Sequence, residues 1–562
     1  MSAFLGLPYR FALRAPLGIR KNPLHSMLRS SRVSSPGRIG RVALLVTLAG
    51  LLLAPAAAAK TVPGPPPFRV VIVDHLNMRQ FRHLAKHGAV GLMVPGVGPT
   101  TNFRQALAQL VRGAEVNARL GGVPRGRRLL SAAEVTGLPN GPRTIVVTMP
   151  PKGPPGPNDQ RYLVAVLGGG FHGLLLSPTT RIPGLVSIVD IAPTALGHAR
   201  GALSSVAVSH PVARIASLNR QIHANNRLKL AALIVVACFI ALLAVVRPRA
   251  ATTAVPAALL TSIGLGAAQV TNEVAILAVL IIGTLAGGLW LARVCTNDDR
   301  LLALIVGVIV LHLWLLAARP EWVALTPLGP TQVSRFWGIG NQLETLLLAP
   351  LFAGVVIAAR RFGYLGFAAF SLLSLVLLTD NRFGSDGGGA IVVGVAFAFL
   401  GARTLRLGAR GFATLLLASA TIVLALVSFG LNAPGPNHFR SAFGHGLSGL
   451  LAVARNRVPL SYAPAVHDWP LVLPLALWFV IALAIAVYWA RARATRDLVF
   501  ALGIAIVTSL LVNDSATYEL TGGVAALGAL VRFTPVVRPL AVTALARLPL
   551  AAQPVANEAR AD

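Results

Sequence analysis

Charge is scarce in this chain. Asp, Glu, Lys and Arg make up 12% of its 562 residues, against 55% apolar ones. A soluble protein of this length carries about twice that share of charge, so the composition excludes an ordinary water-soluble class. Acid is scarcer than base: 18 Asp and Glu stand against 50 Lys and Arg, for a net charge of +32. Lysine is rare within the basic set, occurring only at 21, 60, 86, 152 and 229. The two cysteines, Cys238 and Cys295, fall at or within apolar runs and exclude a disulfide framework or a cysteine metal motif. Aromatics are 6% and no basic stretch is interleaved with them, which argues against nucleic acid as the partner of the positive charge. Arginines at helix ends instead hold loops in the cytoplasm and meet anionic lipid headgroups.

What is present is a series of long apolar stretches. Residues 1–41 are basic and lead into an apolar run, 42–59, that ends in small residues and reads as a signal peptide or signal anchor. Either form sends residues 60–227 out of the cytoplasm. From there the spans are 228–246, 254–270, 274–292, 301–318, 343–359, 362–379, 388–402, 412–431, 470–490, 498–512 and 522–531, within a polytopic region 228–534. A cytoplasmic tail, 535–562, follows. A full crossing takes about 20 residues. Spans 388–402 and 522–531 fall short and begin at glycines, so they read as half-helices or re-entrant segments.

The gaps between spans sort by charge. Arg247/Arg249, Arg293/Arg300, Arg360/Arg361, Arg403/Arg406/Arg410 and Arg491/Arg493/Arg496 occupy alternate gaps. The intervening gaps hold Asn272/Glu273, Asn341/Glu344, Asp380/Asn381/Asp386 and Asn513/Asp514/Glu519. This alternation is the positive-inside pattern, and it places the polar gaps on the outer face with residues 60–227. The location expected is a bacterial cytoplasmic membrane.

Residues 60–227 alternate apolar runs with helix-compatible segments. Runs at 68–73, 89–94, 144–149 and 162–167 suit strands, and 79–87 and 103–114 suit helices. The expected fold class is therefore a membrane α-helical bundle of 11–12 spans, counting the N-terminal one, plus a small extracytoplasmic α/β domain with a mostly parallel sheet.

Within that domain Asp74 ends the first strand, Thr100 and Thr101 follow in a loop, and Asp190-Ile-Ala-Pro-Thr comes late. This order resembles the alkaline-phosphatase/sulfatase superfamily over roughly residues 68–200. The resemblance implies Asp74 as a metal ligand, with Asp190 a further candidate, and Thr100 or Thr101 as nucleophile. A divalent metal would be the cofactor if the domain is active. The sequence departs from that pattern. Only Asp74, Glu115, Glu134, Asp159 and Asp190 are acidic between 60 and 227, and Ser177-Pro-Thr-Thr-Arg181 stands where an Asp-His-Gly motif is expected. A two-metal centre needs more ligands than this, which favours a degenerate, non-catalytic version with Thr100/Thr101 as helix N-caps. The whole arrangement is similar to a group of actinobacterial-type envelope membrane proteins. The segments carrying that likeness are Trp337-Gly-Ile-Gly-Asn341-Gln342, Asp386-Gly-Gly and Asn513-Asp514-Ser515. It brings no activity with it.

Candidate substrate-binding residues come from the outer gaps. Arg335 and Arg382 suit an anion, and Glu344, Asp380, Asp386 and Asp514 supply carboxylates, with Asn341 and Asn513 beside them. The long outer gap 432–469 adds His438 and Arg440, a combination that suits a lipid diphosphate leaving group. Ionisable groups at membrane depth are costly, so these clusters are functional candidates, expected to form an outward-opening polar cavity. The leading expectation is a protein that binds or translocates a lipid-linked or anionic envelope glycan or phosphate. Its alternatives are an envelope enzyme (a metal-dependent phosphohydrolase or phosphotransferase, or a glycan transferase) and a scaffold of an envelope assembly complex. Expected partners are membrane lipids and that substrate, with no nucleic acid.

Overall fold

A computed structural model describes residues 68–96, 100–113, 143–198, 201–330, 336–432, 469–513 and 515–534. The segments 1–59 and 535–562, Arg335, Asp514, His438 and Arg440 lie outside the described residues. Sheet and bundle belong to one compact unit, Ala57–Asp562.

The first half of that unit is a mixed sheet. Its strands are β1 (Arg69–Val73), β2 (Gly88–Val94), β4 (Thr144–Thr148), β6 (Tyr162–Leu167), β7 (Gly173–Leu176), β8 (Leu185–Ser187) and β9 (Ser204–Val206), while β3 (Thr100–Thr101) and β5 (Gly156–Pro157) form a separate two-stranded ribbon. Helix α1 (Met78–His87) links β1 to β2, and α2 (Phe103–Arg112) follows β3. The order is β1-β4-β6-β2-β7-β9, with β8 also on β2. The expected mostly parallel sheet is corrected here: β1/β4, β2/β7 and β2/β8 run parallel, but β6 runs antiparallel to both of its neighbours and β9 antiparallel to β7. The reason lies in the connections. A parallel neighbour needs a crossover, usually a helix; residues 149–161 between β4 and β6 contain none, so β6 returns antiparallel.

One face of the sheet packs on α2 and on α3 (Ile191–Ala195), through Val70, Met93, Leu110, Ile145 and Ile191. The other face meets the bundle. Phe81, Leu92, Leu174 and Leu185 share a core with Ile215, Leu218, Ile222, Leu325 and Phe336. Ile215, Leu218 and Ile222 belong to α4 (Pro211–Val246), a single helix of 36 residues with Pro at its start. The helix that covers the sheet runs on across residue 228 into the first apolar span. At 1.5 Å per residue it is about 54 Å long, enough for both tasks.

The bundle continues with α5 (Pro248–Ala268), α6 (Glu273–Val294), α7 (Asp298–Ala318), the short α8 (Glu321–Ala324), α9 (Asn341–Thr379), α10 (Gly387–Thr404), α11 (Ala409–Asn432), α12 (Trp469–Trp489), α13 (Arg493–Val512) and α14 (Ala516–Leu530). Among the described residues, nine helices are long and apolar enough to cross a membrane. One of these, α9, folds back on itself at Gly363, whose φ of 64° and ψ of −142° suit glycine alone. Phe370 then lies against Gly354, so α9 supplies the two spans expected at 343–359 and 362–379, with Arg360 and Arg361 at the turn. Helix α14 has 15 residues, about 22 Å of rise against a hydrocarbon core of about 30 Å. It is enclosed by α4, α9, α12 and α13, the setting in which a short membrane helix is tolerated. It starts six residues before the expected 522, and so takes Glu519 inside.

The two gap classes are the two ends of the bundle. Arg361 pairs with Asp299 at 3.3 Å and Arg403 with Asp497 at 2.9 Å at the Arg-rich end. At the other end Ile339 N–H donates to Gly384 O at 3.0 Å. Large apolar side chains, among them Leu242, Trp290, Leu477 and Tyr488, are exposed on the outside of the helices. Water would penalise that surface, and lipid would not.

Candidate functional site

The phosphatase-like candidates do not assemble. Asp74 follows β1 and is exposed. Thr100 and Thr101 form strand β3, paired with Pro157 and Gly156, and the N-cap of α2 is Asn102, whose side chain accepts from Gln105 N–H at 2.9 Å. The expectation of threonine N-caps is thus corrected: Asn competes better for that position, and the threonines extend into the ribbon. Asp190 is buried and accepts from the hydroxyls of Ser177 and, at 2.7 Å, Thr179. Its backbone carbonyl accepts from Thr194, whose hydroxyl in turn accepts from Leu203 N–H at 2.8 Å. The Asp-Ile-Ala-Pro-Thr segment therefore serves as a clasp between the 177–180 turn and the 201–203 segment. Among the described residues no three of His, Cys, Asp and Glu come together as a metal site, so the donors present do not fit the divalent metal that the resemblance implies.

The outer-gap candidates do assemble. Glu344 lies in the first turn of α9, Asp386 caps the start of α10, and Asn513 ends α13. Asn513 Nδ2 donates to Glu344 Oε2 at 3.1 Å and to Ser509 Oγ at 2.8 Å. Asp386 Oδ1 accepts from Gly389 N–H at 3.1 Å, and its carboxyl neighbours that of Glu344. Glu519 is the other acidic neighbour of Glu344. These groups are deeply enclosed: Glu344 is 1% exposed, Asp386 6%, Asn513 6% and Glu519 0%. The expected outward-opening cavity is here a closed centre, because helices approach until glycine limits them. A Cβ on Gly389 would stand 2.9 Å from Glu344 Cδ, and one on Gly388 would strike Asn513 Oδ1. Asn341 begins α9 at the edge of the same centre, half-buried.

The remaining candidates, Asp380 and Arg382, pair with each other. Arg382 Nε lies 3.1 Å from both Asp380 oxygens and Nη2 lies 2.7 Å from one. Arg382 as an anion ligand is therefore already engaged. The loop that holds them, residues 380–386, folds under Ser385 at φ 51°, a left-handed conformation that costs a non-glycine residue about 1–2 kcal/mol.

The sheet domain grips that loop. Arg181 donates from Nη1 to Arg382 O at 3.0 Å and from Nη2 to Asn381 O at 2.8 Å, with its guanidinium 3.5 Å from the centre of the Trp337 ring. Arg181 is itself left-handed at φ 59°, so a strained residue stands on each side of the contact. Arg161 reaches the neighbouring Phe336 ring, 5.7 Å away. Burial lowers the Arg161 guanidinium to about 10, with Asp159 acting the other way, and burial followed by Asp159 raises the Tyr162 phenol.

A further polar stripe runs along α4. Gln221, Asn225 and Lys229, four residues apart, face one side. Gln221 and Asn225 donate to Leu325 O at 3.1 and 2.9 Å, and Lys229 to Gly329 O at 3.2 Å and to Pro330 O. From α9 Gln342 donates to Pro327 O at 2.9 Å and also reaches Gly329 O. These side chains satisfy carbonyls of a buried non-helical stretch, 325–330, that would otherwise lack partners. Lys229 is 1% exposed. Sequence reasoning passed over Lys229, Arg181, Arg161 and the enclosure of Glu519. The available signal was a rare lysine in helical register with Gln221 and Asn225. His312 is buried and bonds Val308 O from Nδ1 at 2.8 Å, so it packs within its own helix.

Comparisons with known protein families, with curated proteins and with solved structures find no match to this chain. Function must therefore be argued from the site.

Proposed function

We propose that this is a multi-pass protein of the bacterial cytoplasmic membrane that binds or moves a polar envelope substrate at its outer face. The observation that carries this reading is the convergence of Glu344, Asp386, Asn513 and Glu519, from four separate helices, into one enclosed centre at the sheet-domain end of an apolar bundle. Isolated structural carboxylates are rare at membrane depth, and a functional role is the default reading of such a group. The centre is rich in acceptors and suits the hydroxyls of a glycan. The phosphate of a lipid-linked substrate would fall toward the cations Arg161, Arg181 and Lys229, on the side where the sheet domain docks. In this reading the sheet domain is a non-catalytic cap, and its hold on loop 380–386 through Arg181 is the gate. The alternation of Arg-rich and polar gaps supports an outer position for that cap.

Native mass spectrometry of the full chain released from its own membrane tests this. The expected result is a retained glycolipid or phosphorylated lipid, reduced at least tenfold in Asn513→Leu and Glu519→Gln. Equal retention of ordinary phospholipid in all three proteins, with no other bound species, would contradict it.

A further inference from the structure

Helix α1 carries positive charge and no negative charge. Its residues Met78–His87 include Arg79, Arg82 and Lys86 but no Asp or Glu. The three cations stand at i, i+3 and i+7, so they share one face, opposite Phe81, Leu84 and Ala85. All three are exposed, and none of the five ion pairs among the described residues includes them. An ordinary solvated face intersperses both signs; this one is unpaired cation throughout. Met78, at its start, is 48% exposed.

The fold sets this helix on the membrane side of the sheet. Phe81 lies in the core that joins sheet to bundle, with Ile215, Leu218 and Ile222 of α4, and not in the core beneath α2 and α3. Helix α1 therefore occupies the layer between sheet and bundle, and its basic face is the side of that layer left open. Its height follows from α4. Ile222 and Ile215 stand six and thirteen residues before Leu228, where the apolar span begins, or about 9 and 20 Å along the helix. Arg227 and Glu273, 3.4 Å apart, mark the same level at the start of α6. A headgroup layer adds about 5–8 Å outside the hydrocarbon, and charge acts over about 8–10 Å beyond it. The basic face is within that reach.

We propose that α1 docks the sheet domain on anionic lipid headgroups of the leaflet at its own end of the bundle. Arg79, Arg82 and Lys86 meet the phosphates, and Met78 reaches the acyl boundary. The three cations spread along about 10 Å of helix, a spacing that suits several headgroups of a surface better than one small anion. Each cation near an anionic leaflet is worth about fivefold in occupancy, so three give about 10²-fold. The contact holds the sheet domain down on the membrane from its rim, apart from the grip of Arg181 on loop 380–386. It rests on the bundle spanning a bilayer and holds whatever substrate the enclosed centre takes.

Photo-crosslinking of the full chain in nanodiscs tests the surface. Traces of phosphatidylglycerol or phosphatidylcholine carrying a photoreactive group beside the phosphate are added, and the linked peptides are mapped by mass spectrometry. The expected result is at least tenfold more linkage of the anionic probe than of the neutral one to residues 78–87, at about 50 mM salt. About 0.5 M salt should erase most of that preference. The triple variant Arg79→Gln, Arg82→Gln, Lys86→Gln should lose it, and the charge-keeping Arg79→Lys, Arg82→Lys, Lys86→Arg should retain it. If the triple variant does not fold, the wild type still decides through its lipid preference and its salt dependence. Equal linkage of the two probes, or none at residues 78–87, overturns the proposal, as does an unchanged preference in the folded triple variant. Loss of the preference on adding a few millimolar inorganic phosphate at constant ionic strength would assign the face to a free anion and overturn it too.

Discussion

Removal of the Arg181 guanidinium should release the loop that ends in Asp386. Arg181 makes two charge-assisted hydrogen bonds to backbone carbonyls and lies over Trp337. Bonds with a charged partner are worth about 1.5–3 kcal/mol each, and because Arg181 is only half-buried the lower figure applies. The ring contact adds about 1 kcal/mol. The left-handed backbone at residue 181 stays in an Arg181→Gln variant, so its cost does not offset the loss. The net coupling is about 3–4 kcal/mol, or about 10²- to 10³-fold in an opening equilibrium. Amide hydrogen exchange on the protein in nanodiscs reads this directly. In Arg181→Gln the amides of Ile339, Phe383, Ser385 and Asp386, bonded within and onto the loop, should exchange faster by about that factor. The amides of β1, β4 and β6 should not change. Arg181→Lys should recover less than half of the protection, because an ammonium cannot span both carbonyls while stacking on the ring. A change below about threefold in the loop of a folded Arg181→Gln protein would refute the clamp.

Three further outcomes follow from the same packing. Gly389→Ala places a methyl group against Glu344 Cδ and should cost about 1–3 kcal/mol in thermal unfolding, whereas Gly408→Ala, with open space around it, should stay within about 0.5 kcal/mol. Asp190→Asn weakens the clasp to Ser177 and Thr179 and should lower stability by about 1–3 kcal/mol, while Asp74→Asn at its exposed position should be neutral; equal losses would revive a shared role for the two. For Arg161, burial puts the folded-state value near 10, below the unfolded one. The unfolded state then binds more protons only above about pH 10, so the burial cost of the charge is constant below that. The stability difference between wild type and Arg161→Met should therefore be flat from about pH 5 to 9, and a slope across that window would contradict the assignment.

Much of the bundle was legible because span length and charge alternation act through the membrane, one segment at a time. The turn at Gly363 between two arginine-flanked spans, and the sorting of gaps to opposite ends, needed no tertiary knowledge. The extension of α4 back to Pro211 was not legible. Its first four turns cover the sheet with Ile215, Leu218 and Ile222 while offering Gln221 and Asn225 to the 325–330 backbone, so the helix lacks the uniform apolarity that marks a span. The direction of β6 depended on the absence of a crossover helix in residues 149–161, which a strand pattern alone does not report. The candidate site was legible as three separate clusters, since Gly, Asn and Asp at span ends are conspicuous. That they meet, and that Glu519 joins them from inside α14, is set by helix packing around Gly388 and Gly389. Arg181 gave no local signal: its role is made by a loop two hundred residues away.

The most direct test of the central claim, an enclosed polar centre that meets an envelope substrate under the sheet domain, is an electron cryo-microscopy map of the full chain in nanodiscs of its native lipids. The account predicts Glu344, Asp386, Asn513 and Glu519 side by side, with density for a polar headgroup between the loops at 336–340 and 380–386. A map in which these four side chains lie apart, or in which the sheet domain stands away from loop 380–386 with no headgroup density there, would contradict it.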